Sequence, residues 1–330
     1  MKAFVTGTAG FIGFHVAQRL LSDGYRVVGY DGVTRYYDPG LKRDRIAILQ
    51  QNREFVQVEG MLEDAAALHD AYAMSDADIA FHFAAQAGVR YSIEAPQSYV
   101  QSNVVGTANL LEALRAKPPR HFIFASSSSV YGSNSKIPFA ETDPTDEPLS
   151  VYAATKRSGE AMIHSYAHLY GIASTCARFF TVYGPWGRPD MAAIRFATAM
   201  RAGRPIDVYG LGKMRRDFTY IDDLVAAVMG LVPCVPEIGR PIGPDSLSSS
   251  APFRTVNVGG GNPVELLAFI RSIERSMGVR AELNLLPMQL GDIAATAADT
   301  SLLRALVRDL PSTALDEGVD RFVAWFRTRG

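Results

Sequence analysis

The sequence has little cysteine, no excess of charge of either sign and no long apolar segment. Its two cysteines, Cys176 and Cys234, fit neither the spacing of a metal site nor a disulfide framework, so we expect reduced thiols and no metal. With 33 basic and 34 acidic side chains, the chain has no net attraction for a polyanion, and we expect no nucleic-acid partner. No apolar run approaches the ~20 residues of a membrane span, and no signal-like segment opens the chain. We therefore expect a cytoplasmic protein without a membrane partner.

What the chain does have is enough apolar sequence for a core, arranged in alternating short strands and helices. Hydrophobic residues make up 48% of the 330 residues. The predicted strands are residues 2–6, 26–30, 55–58, 79–83, 121–125 and 174–179, and the predicted helices are residues 12–23, 63–73, 96–116 and 152–170. Several strands are apolar on both faces. This pattern predicts an α/β fold with a doubly wound parallel sheet.

The second half of the sequence is more broken by proline and glycine. Residues 233–252 hold five prolines and four serines and are predicted to form a surface loop. A strand at residues 255–258 and a helix at 263–277 are expected after it, so the loop does not mark the end of the fold.

A glycine-rich segment follows the first predicted strand and opens the first helix. Its glycines are Gly7, Gly10 and Gly13. Their spacing permits a tight turn and close packing, while the helix N-terminus presents free N–H groups to a pyrophosphate. Asp31 ends the second strand about 20 residues further on, where a ligand of the adenosine ribose is expected. Its carboxylate repels a 2′-phosphate and favours NAD over NADP, although Arg35 and Lys42 nearby act against that preference. The structural alternative is a glycine-rich turn with a solvated aspartate.

Tyr152 and Lys156 lie four residues apart on one face of a predicted helix. An unperturbed phenol, with a pKa of about 10, is a poor base at neutral pH. We expect Lys156 and an oxidised nicotinamide to lower that pKa, so that Tyr152 can accept a proton from an alcohol as hydride leaves its carbon. Four serines, residues 126–129, end the preceding strand, where such folds bind ligands. Taken alone, the pair is equally compatible with an exposed helix face, and the serines with a polar turn.

Together with longer blocks, these motifs resemble the extended short-chain dehydrogenases/reductases, within them the nucleotide-sugar epimerases, and most narrowly the UDP-glucuronate 4-epimerases. The blocks are Tyr36-Tyr37-Asp38-Pro39 with Leu41-Lys42, residues 84–92, residues 152–157, residues 178–191 and residues 216–223. The resemblance covers nearly the whole chain. The block at residues 178–191 is the most specific, because it separates uronate epimerases from relatives that act on neutral sugars.

The resemblance implies an isomerase that interconverts UDP-glucuronate and UDP-galacturonate through a 4-keto intermediate, with tightly bound NAD. The implied catalytic residues are Ser127, Tyr152 and Lys156. The implied cofactor-binding residues are Gly7, Gly10, Phe11, Ile12, Gly13, Asp31, Lys42, Leu62, Ala84, Ala85 and Gln86, with Tyr152 and Lys156. The implied substrate-binding residues are Arg90, Ser127, Ser128, Ser129, Thr181, Arg188, Met191, Tyr209, Arg216 and Gln289.

Within this set, the hydroxyl-bearing side chains are expected around the substrate carboxylate, and the arginines at the diphosphate. Thr181 stands where relatives that act on neutral UDP-hexoses usually carry Asn. Arg216 is the best match to the phosphate-binding arginine of these relatives, although for each arginine alone a surface ion pair is the simpler interpretation.

The chain departs from the family pattern after the second and third strands and matches it closely near the C-terminus. The family commonly has Gly-Asp after the third strand, with the Asp at the adenine, whereas this chain has Gly60-Met61. Backbone groups near Leu62 are therefore expected to bind the ring. Residues 288–292, Met-Gln-Leu-Gly-Asp, are close to the uronate pattern Met-Gln-Pro-Gly-Asp.

Two alternative functions remain at this point. UDP-glucuronate decarboxylases place Glu where this chain has Ser129, and sugar-nucleotide 4,6-dehydratases place Asp-Glu at Ser128-Ser129, so the decarboxylase ranks second and the dehydratase well behind. A non-catalytic dinucleotide sensor on the same fold is the other alternative. Such sensors often lose the Tyr or the Lys, and both are present here.

The resemblance also implies a two-domain organisation and a homodimer. An NAD-binding Rossmann domain would comprise residues 1–178, with about 206–232 and 254–258. A smaller C-terminal α/β domain, which binds the UDP-sugar, would comprise residues 179–205, 233–253 and 259–330. Helices at residues 96–116 and 152–170 would form the dimer interface.

Overall fold

The structure, a computed structural model, describes residues 1–289 and 293–329. The strands in this part of the chain are β1 (Lys2–Thr6), β2 (Arg26–Asp31), β3 (Phe55–Glu59), β4 (Ile79–His82), β5 (His121–Ser127), β6 (Ser174–Phe179), β7 (Thr181–Tyr183), β8 (Ile206–Val208), β9 (Arg215–Tyr220), β10 (Phe253–Val258), β11 (Pro263–Glu265) and β12 (Leu283–Leu285). The helices are α1 (Phe11–Ser22), α2 (Pro39–Leu49), α3 (Ala65–Ser75), α4 (Tyr91–Glu94), α5 (Pro96–Tyr99), α6 (Gly106–Ala116), α7 (Val151–Tyr170), α8 (Ala192–Arg201), α9 (Ile221–Leu231), α10 (Leu266–Met277), α11 (Ser301–Leu306) and α12 (Leu315–Arg327).

Seven parallel strands form the central sheet in the order β10-β6-β5-β4-β1-β2-β3. The chain progresses outward in both directions from β1, so the order reverses between β1 and β4. In such a sheet the carboxyl ends of the strands at the reversal open a crevice that binds ligands. The predicted α/β fold of the Rossmann type is thereby confirmed.

Apolar side chains on both faces of the strands explain why helices cover the sheet on both sides. In β1, Phe4 belongs to a core cluster with Leu110 of α6, whereas Val5 belongs to the opposite cluster with Phe14 of α1 and Leu224 of α9. Neighbouring residues of a strand point to opposite faces, so this alternation places one hydrophobic core on each side.

The smaller sheets form a second layer beside the carboxyl ends of the large sheet. One contains β11, β9 and β7, and the other pairs β12 with β8. Residues 206–232 are expected in the NAD-binding domain, but within that stretch only α9 packs against α1, while β8 and β9 belong to the small sheets. We therefore propose that the NAD-binding domain includes β10, which is part of the large sheet, and α9, which packs beside it.

Two helices differ from the sequence-based expectation. The predicted helix 96–116 consists of α5, a π-helical stretch at Val100–Val105, and α6. The predicted helix 263–277 begins later, because Pro263–Glu265 pairs with β9 before α10 starts. Residues 233–252 contain no helix or strand, as predicted. Within the described residues, none of the helices has the length and apolar character needed to cross a lipid bilayer.

Candidate active site

The glycine-rich segment forms a turn that only small residues allow. Gly7 has φ of +81°, and its amide donates a 2.7 Å hydrogen bond to the carbonyl of Tyr30. A Cβ on Gly7 would lie 2.6 Å from the nitrogen of Ala84, and one on Gly13 would lie 2.2 Å from the Gly7 carbonyl oxygen. The turn therefore brings the N-terminus of α1 close to the ends of β1 and β4. This cradle fits a dinucleotide pyrophosphate, because it presents free amides with no side chain in the way.

Asp31 is a half-buried anchor of this cradle and not a solvated strand end. Its carboxylate accepts hydrogen bonds from the amides of Ala9, at 3.0 Å, and Val33, at 2.8 Å. Burial raises the pKa of Asp31, while these amides and the nearby Lys42 ammonium oppose that rise. Lys42 itself donates to the carbonyl of Thr34 at 2.7 Å. Both side chains line the same cleft, as expected for ligands of the ribose.

Tyr152 enters the cleft from the first turn of α7, which starts after an N-cap. The Ser150 hydroxyl accepts the amide of Ala153 at 3.1 Å, and this bond fixes where the helix begins. Lys156, one turn later, is 3% exposed and donates from Nζ to the carbonyl of Ala125 at 2.7 Å. Burial lowers the pKa of Lys156 to about 7.

The electrostatics around the phenol differ from the expectation that Lys156 lowers its pKa. In the chain itself burial raises the pKa of Tyr152, while a side-chain interaction with Ser127 and the charge of Arg188 oppose the rise. The Lys156 ammonium is directed at the Ala125 carbonyl of β5 instead. Ser127 and Arg188 are thus the groups of this chain that favour the phenolate.

A buried ion pair contacts the serine run through Ser126. Glu160 and Arg178 are joined by two hydrogen bonds of 2.9 Å, and both side chains are at most 5% exposed. The Ser126 hydroxyl donates to Glu160 at 2.6 Å. Sequence reasoning missed this pair, although Glu160 lies on the same helical face as Tyr152 and Lys156, at the next four-residue step. That spacing was the available signal.

A second missed residue is Asn103, which lies in the π-helical stretch. Its Oδ1 accepts the amide of Gln86 at 2.8 Å, and its Nδ2 donates to the Gln86 carbonyl and to the Thr155 hydroxyl, each at 3.0 Å. It therefore ties the cofactor-side loop to α7 immediately before Lys156. Wide π-type turns are frequent at functional sites. No local sequence signal predicts this one.

One cleft of about 340 Å³ brings most of the predicted site together. All the predicted cofactor-binding residues line it, from the glycine turn to Lys156. The predicted substrate-side residues along its wall are Ser127, Ser128, Ser129, Thr181, Arg188 and Met191. The cleft therefore combines a dinucleotide cradle, a half-buried phenol and a row of hydroxyl groups.

A second cavity, of about 590 Å³, holds the remaining predicted arginines. Arg90 and Arg216 line it, and the Arg90 guanidinium lies 4.3 Å from the centroid of the Tyr209 ring. Thr181 and Arg188 line both cavities, so the two are neighbours along one surface. Gln289 is exposed and lines neither cavity. Residues 290–292 of the Met-Gln-Leu-Gly-Asp segment lie outside the described residues.

The cradle, the acidic end of β2 and the Ser127–Tyr152–Lys156 group define an enzyme of the extended short-chain dehydrogenase/reductase class that uses NAD. More narrowly, the chain belongs to the NAD dependent epimerase/dehydratase family, whose sequence profile matches residues 3–233.

Several named proteins are similar to nearly the whole of this chain. The chain is 54% identical to the "Probable UDP-glucuronate 4-epimerase" of Rhizobium meliloti, over 99% of this chain and 97% of that protein. It is 44% identical to UDP-glucuronate 4-epimerase 1 of Arabidopsis thaliana, over 99% of this chain and 76% of that one. The crystal structure of UDP-glucuronic acid 4-epimerase from Bacillus cereus, in complex with UDP-glucuronic acid and NAD, superposes with a TM-score of 0.89 at 33% identity and covers both chains completely.

Replacing Asp31 by Ala is expected to weaken NAD retention by about one to two decades, because a hydrogen bond to a charged group contributes ~1.5–3 kcal/mol. The measurement is the NAD content of the purified protein after dialysis, and its dissociation constant by titration. Glu59→Ala is the matched control, since Glu59 pairs with Asp31 in register on β3 but is exposed. Equal NAD retention in the two variants would remove Asp31 from the cofactor site.

Proposed function

We propose that the protein is a UDP-glucuronate 4-epimerase, which interconverts UDP-glucuronate and UDP-galacturonate. The relatives named above support the substrate class. The observation that carries the proposal is the composition of one cleft, in which the phenol of Tyr152 shares a wall with the hydroxyls of Ser128, Ser129 and Thr181. This composition supports acid–base chemistry at a sugar hydroxyl next to a binding site for the neighbouring carboxylate.

In this reaction Tyr152 is the acid–base group. Bound NAD, held by the glycine cradle and Asp31, supplies a hydride acceptor and donor. Ser127 lines the cleft with the phenol and orients the 4-hydroxyl of the sugar toward it. Tyr152 takes the proton of that hydroxyl as the alcohol becomes a ketone. It returns the proton after the keto sugar has rotated in the pocket and presents its other face. Because the starting and final redox states are equal, the cofactor is recycled without net NADH formation.

The hydroxyl groups suppress a side reaction of this chemistry, the decarboxylation of the intermediate. A ketone at C4 next to a carboxylate on C5 makes the intermediate a β-keto acid, which loses CO2 when the breaking bond aligns with the carbonyl π system. Hydrogen bonds from Ser128, Ser129 and Thr181 hold the carboxylate out of that alignment. An acidic side chain at Ser129, as in the related decarboxylases, would repel the carboxylate instead.

The enzyme is proposed to act as a homodimer through α5, α6, α7 and the π-helical stretch between α5 and α6. Large apolar side chains are exposed along this face, namely Val100, Val105, Val151, Leu169 and Tyr170. Exposed apolar groups clustered on neighbouring helices mark an association surface. Sedimentation equilibrium of the parent and of a Val105→Glu variant tests it, because a dimer of this kind should dissociate in the variant.

The deciding experiment is incubation with UDP-glucuronate, without added cofactor, followed by NMR of the products. We expect a mixture of UDP-glucuronate and UDP-galacturonate. A UDP-pentose as the main product would make the protein a decarboxylase. NADH in proportion to product would make it a dehydrogenase, and binding of NAD with no turnover of any UDP-sugar would make it a sensor.

Thr181→Ala is expected to slow turnover of UDP-glucuronate by about one to two decades, because a hydrogen bond to an anionic oxygen contributes roughly 1.5–3 kcal/mol. Turnover of a neutral UDP-hexose should change much less and provides the internal control. A trace of UDP-pentose should also appear as the carboxylate gains freedom. If the variant instead loses activity on charged and neutral sugars equally and releases no pentose, Thr181 only packs behind the serine run.

A further inference from the structure

The turn at residues 184–187, which leads into Arg188, has a strained backbone that side chains from other elements hold in place. Trp186 has φ of +60°, a conformation that costs energy for a bulky residue and persists only where neighbours enforce it. Three consecutive carbonyls of this turn accept hydrogen bonds from side chains of α1 and α2. His15 Nε2 donates to Pro185 at 3.0 Å, and Arg45 Nη2 donates to Trp186 at 2.6 Å and to Gly187 at 3.2 Å.

The same guanidinium also holds the glycine turn. Arg45 Nη1 donates to the carbonyl of Ala9 at 2.6 Å and to the Tyr37 hydroxyl at 2.8 Å. The side chain of Arg45 is fully buried, and its Nε has no partner in the described part of the chain. A buried cation whose hydrogen bonds go to neutral groups is costly for stability. What the residue supplies is geometry, since a planar guanidinium can bridge two backbone segments at fixed distances.

The segment held in this way carries Arg188, which lies where the two cavities meet. Arg188 makes two hydrogen bonds with Asp190, at 3.0 and 3.1 Å, and Tyr36 donates to the same carboxylate at 3.3 Å. The position of the Arg188 charge thus depends on the turn before it and on Asp190 after it. Asp190 fixes the side chain, and Arg45 fixes the backbone.

We propose that Arg45 is a positioning residue, which clamps the turn at residues 184–187 to the glycine turn and so holds Arg188 against Tyr152 and the substrate. The proposal rests on the proposed function for its catalytic consequence. It assigns to one buried side chain the link between the cofactor cradle and the substrate wall, which are formed by distant parts of the sequence.

The first test is a double-mutant cycle between Arg45→Met and Arg188→Ala, assayed as the NAD-bound enzyme with UDP-glucuronate. Arg45→Met should lower kcat/KM by about 10²-fold, the size of effect that a small misplacement of a catalytic-site group produces. In the Arg188→Ala background the same change should cost little, because the group that Arg45 positions is gone. The acid limb of the parent's kcat–pH profile should move to higher pH in Arg45→Met, since the Arg188 charge favours the phenolate of Tyr152. Independent, multiplying losses with an unchanged pH profile would overturn the proposal.

A second readout requires no turnover and therefore separates this proposal from the proposed function. Trp186 and Trp325 are the two tryptophans of the chain. In a Trp325→Phe background, Trp186 fluorescence reports the turn directly. Arg45→Met should make Trp186 more accessible to acrylamide, and unchanged quenching would contradict the clamp. Arg43→Met, on the same helix but exposed and paired with Glu59, should behave as the parent in both assays.

Arg45→Lys covers the case in which Arg45→Met does not fold. The lysine keeps the buried charge but cannot reach both segments, so it should reproduce the increase in quenching and the loss in kcat/KM. Parental values for both quantities in Arg45→Lys would show that the charge alone matters, and not the clamp.

Discussion

Tyr152→Phe is expected to lose about 10²–10⁴-fold in epimerisation rate, the usual contribution of a general acid–base group. The substitution removes only the phenolic oxygen. The ring keeps its edge contact with Tyr99, whose centroid lies 6.2 Å away, and Lys156 keeps its bond to the Ala125 carbonyl. Fold, thermal stability and NAD content should therefore stay at the parental level while turnover of UDP-glucuronate is lost.

Tyr166→Phe is the matched control for this prediction. It makes the same chemical change on the same helix, but the Tyr166 hydroxyl bonds to Glu112 away from the cleft. Its rate should equal that of the parent. Activity of Tyr152→Phe within about twofold of the parent would mean that another group moves the proton.

The parts of this site that were predictable are those whose spacing is local. The glycine turn, the end of β2 and the Tyr152–Lys156 step each occupy one strand–helix junction or one helical turn, so sequence distance determines spatial distance. The parallel sheet then brings these junctions to one edge, because successive strands end on the same side. This is why residues chosen from separate motifs line a single cleft.

The parts that were missed depend on pairs distant in sequence. Glu160 contacts Arg178 on β6, Asn103 contacts Gln86 and Thr155, and Arg45 joins residues near positions 9 and 186. Nothing local distinguishes Asn103 and Arg45 from ordinary helix residues, and Glu160 carries only its four-residue spacing from Lys156. The strands β7 and β8 were not predicted because each has only three residues, and β9 was not predicted because it opens on the charged residues Arg215, Arg216 and Asp217.

Glu160→Gln is expected to lower the free energy of unfolding by about 3–5 kcal/mol, because it leaves the Arg178 cation buried without its counter-charge. Although burial opposes it, the hydrogen bonds and charge of Glu160 raise the pKa of Arg178, so the guanidinium stays charged. The amide also weakens the bond from Ser126, so the serine run loses its support. Urea unfolding of the NAD-bound protein measures the loss.

Glu317→Gln provides the control, since Glu317 pairs with Arg321 on an exposed face of α12 and such pairs contribute ~0–1 kcal/mol. The decisive variant is Glu160→Gln combined with Arg178→Met. Removing both charges should recover part of the stability lost by Glu160→Gln alone, because neither charge of this pair is then left buried without its partner. If the losses of Glu160→Gln and Arg178→Met, each measured alone, simply add in the double variant, the pair is not coupled. The cost of Glu160→Gln then comes from the bond to Ser126 alone.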